Sequence, residues 1–167
     1  MRLIGCQLRD IFKGRYDLVL DRAAEPIRLR LANLHPTDID TTIVGSSANI
    51  SVDLENNGVA NAPAFEVAVI TSVTDPLNNG AGVGMTAFAP IAVASLATGA
   101  GISRGAGAIN LPNRAQDWDV CTIAIVDPPT STRAAGSVFE SNEGDNERAG
   151  CCRVYGPNPD FNGPAAC

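Results

Sequence analysis

Five oxygen-bearing side chains in the last third of the chain are the strongest candidates for chemistry: Asp127, Glu140, Asn142, Glu143 and Asp145. Carboxylate and amide oxygens are the hard ligands that Ca2+ gathers in shells of about six to eight. One reading of the run Val138-Phe139-Glu140-Ser141-Asn142-Glu143-Gly144-Asp145-Asn146-Glu147 is therefore a Ca2+ site, and no other cofactor is expected. The run does not follow the EF-hand loop, which places its glycine one residue later than Gly144 falls when counted from Glu140. The competing reading is a solvated acidic turn between two strands.

The second set of reactive side chains is Cys6, Cys121, Cys151, Cys152 and Cys167. No CxxC pair occurs and His35 is the sole histidine, so disulfides formed in an oxidising compartment are a better reading than zinc. Neighbouring side chains on a strand point to opposite faces, so Cys151 and Cys152 are expected to serve different partners. An odd number of cysteines leaves one thiol free or joined to another chain. The connectivity stays open.

Catalytic patterns are weak. His35, in Leu34-His35-Pro36, has no nucleophile elbow beside it, and the glycine clusters at Gly80 to Gly84 and Gly99 to Gly107 lack the lysine of a phosphate loop. The acidic side chains share one wet bend, where raised pKa values are not expected. The chain reads as a non-enzyme. Trp118, Tyr16 and Tyr155 could form a glycan platform, but aromatics are 5% of the residues and Trp118 heads a core-like run, so packing is the simpler role. Asn49-Ile50-Ser51 is a formal glycosylation sequon.

A net charge of -6, with 12 basic residues among 18 acidic ones, argues against a grip on nucleic acid. No run approaches the roughly 18 apolar residues of a transmembrane helix. Leu3-Ile4-Gly5-Cys6 has the look of a lipobox without the apolar region that should precede it.

The elements that must hold these residues read as strands. Ala48, Ile50, Val52 and Leu54 alternate with Asn49, Ser51, Asp53 and Glu55, the plainest half-buried strand in the chain. Asn56-Asn57-Gly58 allows a reversal before Phe65, Val67 and Val69 resume an inward face. Trp118 to Val126 is a strong strand ended by Asp127-Pro128-Pro129, and Gly150 to Tyr155 a short one. Ile27, Leu29 and Leu31 alternate with Arg28 and Arg30, Tyr16 to Leu20 is a compact apolar run, and residues before Gly14 suit a turn or two of helix. Met85 to Leu96 is expected as a strand because Pro90 forbids a helix, Thr98 to Arg104 as a connection, Ala106 to Leu111 as a weak strand, and Gly156 to Cys167 as irregular. Many short strands with turn signals between them give an all-β antiparallel sandwich of about seven or eight strands.

The order of these signals resembles the CARDB family, the cell-adhesion-related domain found in bacteria and archaea. The carrying residues are Ser51-Val52-Asp53-Leu54-Glu55-Asn56-Asn57-Gly58-Val59-Ala60, Phe65-Glu66-Val67-Ala68-Val69, Leu96-Ala97-Thr98-Gly99-Ala100, Ile125-Val126-Asp127 and Glu140-Ser141-Asn142-Glu143-Gly144-Asp145-Asn146. The resemblance implies an immunoglobulin-like sandwich without catalysis, an extracellular or cell-surface location and an adhesive or structural role. It divides the chain into an N-terminal extension over residues 1–46, holding an inter-subunit strand or the first strands of the sandwich, a CARDB-like sandwich over 47–155, and a cysteine-bearing tail over 156–167. The expected partners are copies of the chain, joined through the N-terminal arm or disulfides into an oligomer or filament. Other surface proteins, glycans and Ca2+-dependent attachment are the alternatives.

Overall fold

The computed structural model describes residues 29–77, 81–112, 116–134, 136–156 and 163–164. Cys6, Cys167, Tyr16, the helix expected before Gly14 and the strand expected at Tyr16 to Leu20 lie outside them. The chain divides into two compact units, Met1–Arg30 and Leu31–Cys167. The second holds every strand of the described residues.

Its regular elements, among the described residues, are nine strands: β1 Leu34–Val44, β2 Ser47–Asn56, β3 Phe65–Asp75, β4 Ala81–Ala87, β5 Ile91–Val93, β6 Gly101–Asn110, β7 Trp118–Val126, β8 Glu147–Val154 and β9 Gly163–Pro164. They form two antiparallel sheets, one in the order β6-β2-β1-β9 and one in the order β4-β3-β7-β8, with β5 also paired to β3. This is an all-β, immunoglobulin-like sandwich.

Alternation builds the core. The inward residues of β2 are Ala48, Ile50, Val52 and Leu54, and those of β3 are Phe65, Val67, Val69 and Val73; all are buried. β7 adds Trp118, Val120, Ala124 and Val126. Each such aliphatic side chain contributes about 1.5–3 kcal/mol on leaving water. Two polar residues also sit on the inner faces: Thr71 and Thr122 oppose each other on β3 and β7, and their hydroxyls satisfy one another at 2.9 Å.

Several elements differ from the sequence expectation. β1 lies inside the stretch 1–46 and pairs with β2 along its whole length, turning at Gly45, which has φ 58°. Its inner face is Ile39, Thr41 and Ile43, too polar to stand out as an apolar alternation. Residues 29–31 belong to no strand; the Leu31 carbonyl instead accepts from Val59 N and Ala60 N. The run Met85 to Leu96 is two strands, β4 and β5, parted at Phe88-Ala89-Pro90. β6 begins at Gly101, within the expected connection, because long-range pairing with β2 overrides a glycine-rich composition. Its Gly107 leaves room for the Phe88 ring, whose Cδ1 would lie 2.7 Å from an added Cβ. Gly163–Pro164 in the tail pairs with Thr42 and Ile43.

Candidate functional site

The acidic run folds back over the end of the sandwich where β1 begins. Asp127 follows β7 in a left-handed conformation, φ 45°, and is buried. Its carboxylate accepts from Ser137 N at 3.0 Å, Ser137 Oγ at 2.6 Å and Val138 N at 2.6 Å. Gly136 lies so close that an added Cβ would be 2.3 Å from the Asp127 carbonyl oxygen. Asp127 therefore works as the internal cap of the 128–138 loop.

Glu140 forms a parallel bridge with Ala32, reinforced by Ser141 N donating to the Ala32 carbonyl at 2.9 Å. Its carboxylate accepts from Leu34 N, the first amide of β1, and from Asn146 Nδ2 at 3.0 Å. Burial pushes Glu140 up to about 7, with the Glu143 and Asp127 charges adding and the hydrogen bonds from Leu34 and Asn146 opposing. Glu143 accepts from Glu140 N at 3.3 Å and from Asn146 Nδ2 at 3.4 Å, and is also raised, first by burial and then by Asp127 and Asp145. Raised pKa values do occur in this run, contrary to the expectation for an exposed bend, because the run is tucked against β1.

Asparagines tie the run to the rest of the fold. Asn33 donates from Nδ2 to Asn57 Oδ1 at 2.7 Å and to Asp145 Oδ2 at 3.0 Å, and its Oδ1 accepts from Ser141 Oγ at 3.3 Å. Asn56, fully buried at the end of β2, donates to the carbonyls of Ala60 and Leu96 and accepts from Asn33 N and Gly58 N. Asn56-Asn57-Gly58 is thus a polar knot as well as a turn. Gly58 is required there, since an added Cβ would fall 2.4 Å from the Ala32 carbonyl carbon. Sequence reasoning missed Asn33, gave Asn146 no role beyond its place in the acidic run and Asn56 only a turn role, because an asparagine's partners are set by long-range packing.

The five residues weighed as Ca2+ ligands are near one another in the fold but are turned to different tasks. Asn142 Oδ1 accepts from Gly144 N at 3.1 Å in an exposed turn. Asp127 and Glu140 give their oxygens to amide donors, and the buried oxygens without a donor are Asp145 Oδ1 and Asn146 Oδ1. Among the described residues no three His, Cys, Asp or Glu side chains are placed to hold a metal ion.

Cys121 and Cys151 face each other on β7 and β8 and are disulfide-bonded, with Cα atoms 4.0 Å apart. The bond lies on the outer face of its sheet. Cys152, on the inner face beside Val120, is buried and is also disulfide-bonded. The adjacent cysteines thus serve different partners. His35 lies 3.9 Å from Glu55 across the β1–β2 pair. Trp118 is buried in the core and Tyr155 is exposed, so they form no shared platform. Asn49 of the sequon lies mid-strand, paired with Thr42 and Ala108. No helix among the described residues is long and apolar enough to cross a membrane.

No protein-family model matches the chain and no curated protein matches it. Among solved structures the chain is similar to part of β-glucosidase 3B from Thermotoga neapolitana in complex with glucose, at 16% identity over 75% of this chain and 18% of that one, TM-score 0.34. It is likewise similar to part of a β-glucosidase from Kluyveromyces marxianus, at 12% identity over 78% of this chain and 16% of that one, TM-score 0.33. The chain thus spans under a fifth of either glucosidase. It is also similar to the CARDB domain of a Pyrococcus furiosus protein, solved in complex with di-metal ions, at 18% identity over 80% of this chain and 96% of that one, TM-score 0.45.

Proposed function

We propose that the chain is a non-enzymatic structural or adhesive module of an extracellular or cell-surface assembly, and that copies join by strand addition. The observation that carries this reading is the edge strand β6. It runs for ten residues, and among the described residues it pairs only with β2. Its composition, Gly101 to Asn110, contains no lysine or proline to blunt the edge, although Arg104 and the register shift opposite Ile50 and Ser51 twist its middle. The outer-face disulfide suits an oxidising compartment.

The incoming strand is the N-terminal arm of a neighbouring copy. Ile27 and Leu29 would extend the apolar face beyond the half-buried Ile102 and Ile109, while Arg28 and Arg30 would lie on the face that carries Asp38, Asp40, Asp53 and Glu55. Asp53 and Glu55 on β2 would then be two strands or about 10 Å away, within roughly one Debye length, with the β1 aspartates one strand further. Asp127 and Glu140 already hold amide donors, so the strand reading is preferred over Ca2+-dependent attachment.

Electron microscopy and light scattering of the full chain at high concentration test it. Species larger than a dimer are expected, and Ile27→Asp with Leu29→Asp should abolish them. A chain with no species larger than a dimer at every concentration, or assemblies indifferent to the double substitution, would refute the proposal.

A further inference from the structure

The two outer faces of the sandwich are unlike. On the β6-β2-β1 sheet the cross-strand rows read Asp40-Ser51-Gly105 and Thr42-Asn49-Ala108, a polar surface. On the β4-β3-β7-β8 sheet they read Ala87-Ile70-Ile123-Ala149 and Met85-Ser72-Cys121-Cys151, with Ala68 and Ile125 in the row beyond. Met85 is 75% exposed and Ile123 39%. The inner faces of β3 and β7 already supply the core, so these outward isoleucines are not spent there. Strands apolar on both faces are the pattern of a sheet covered on both sides.

We infer that this outer face docks a second copy of the chain, the two sheets stacked about a two-fold axis lying across the strands. Charge selects this occupant. The outward residues of β8 are Glu147, Ala149, Cys151 and Arg153, with the acid and the base at opposite ends, about 20 Å apart. A two-fold axis in that direction lays β8 antiparallel over the other copy's β8 and sets each Glu147 against an Arg153. Arg153 is held in place by a two-pronged pair with Asp119, at 2.8 and 2.9 Å. The alanines at 68, 87 and 149 keep the face low enough for sheets to approach to about 10 Å.

Four strands over some nine residues make a face of roughly 19 by 27 Å, or about 500 Å² per copy. The total of about 1,000 Å² sits at the lower end of specific association, so the dimer is weak and reversible. This inference stands apart from strand addition, which uses a different edge and gives larger species.

Sedimentation velocity of the full chain carrying Ile27→Asp and Leu29→Asp, which removes strand addition, tests it between about 1 µM and 1 mM. A concentration-dependent dimer is expected, weakened at least about tenfold by Ile123→Glu, by Glu147→Arg and by Arg153→Glu, each with an unchanged circular dichroism spectrum. Mixing the Glu147→Arg and Arg153→Glu chains should restore a dimer, because the mixed pair has opposite charges at both contacts. Asp119 loses its partner in the second variant, but an exposed pair contributes little to folding. A monomer at all concentrations would overturn the inference. So would a dimer indifferent to Ile123→Glu, a mixture that stays monomeric, or a dimer that survives denaturing, non-reducing electrophoresis and so is disulfide-linked.

Discussion

Glu140 shows how a residue that looks like a ligand can be a latch. Its carboxylate closes the acidic run onto the first amide of β1, and burial lifts it from the ordinary 4.5 to about 7. With the folded value above the unfolded one, the folded chain retains a proton that the unfolded chain releases between those limits. The associated stability is fully present below about pH 4.5 and is lost as the pH rises through about 7. The full shift would correspond to about 3 kcal/mol, which solvent screening reduces to roughly 1–2 kcal/mol. Denaturant melts at pH 5 and pH 8 should show that loss, and Glu140→Gln should flatten it while retaining the Leu34 contact. A wild-type chain more stable at pH 8 than at pH 5 would sink this assignment. Nothing in the local sequence announces the burial, since the residues that cause it, Ala32 and Leu34, lie more than a hundred positions away.

Strand β7 illustrates what can and cannot be read ahead of the structure. Its bounds, Trp118–Val126, are those its β-branched composition marks out, and β2 is equally plain from alternation. β1 and β6 are not, because β1 buries Thr41 and turns Asp38 and Asp40 outward, and β6 is largely glycine and alanine. Both become strands through β2, which lies between them and offers each a full ladder. The β7–β8 pair has covalent help in the Cys121–Cys151 bond, which closes a loop of 30 residues. Loop-closure entropy for that length amounts to about 3–4 kcal/mol. Replacing both cysteines by alanine should lower the unfolding free energy by about that amount, measured by urea titration without reductant so that Cys152 keeps its own bond. A loss under about 1 kcal/mol would mean that the ladder alone fixes the pairing.

Charge over the molecule as a whole decides when the apolar face can act. The net charge of -6 at pH 7 and the sequence pI of about 4.6 mean that two copies repel one another at neutral pH and progressively less as the solution is acidified. Acidification to pH 6 also adds protons at Glu140, which steadies the loop beside β8. Both effects point the same way, so dimerisation should strengthen severalfold from pH 8 to pH 6. Sedimentation equilibrium across that range, with strand addition removed by Ile27→Asp and Leu29→Asp in both chains, provides the measurement, and Ile123→Glu is the reference that should remain monomeric throughout. If the variant associates as the pH falls just as the native chain does, general loss of repulsion accounts for the effect. If the native chain alone responds, the stacked sheets account for it.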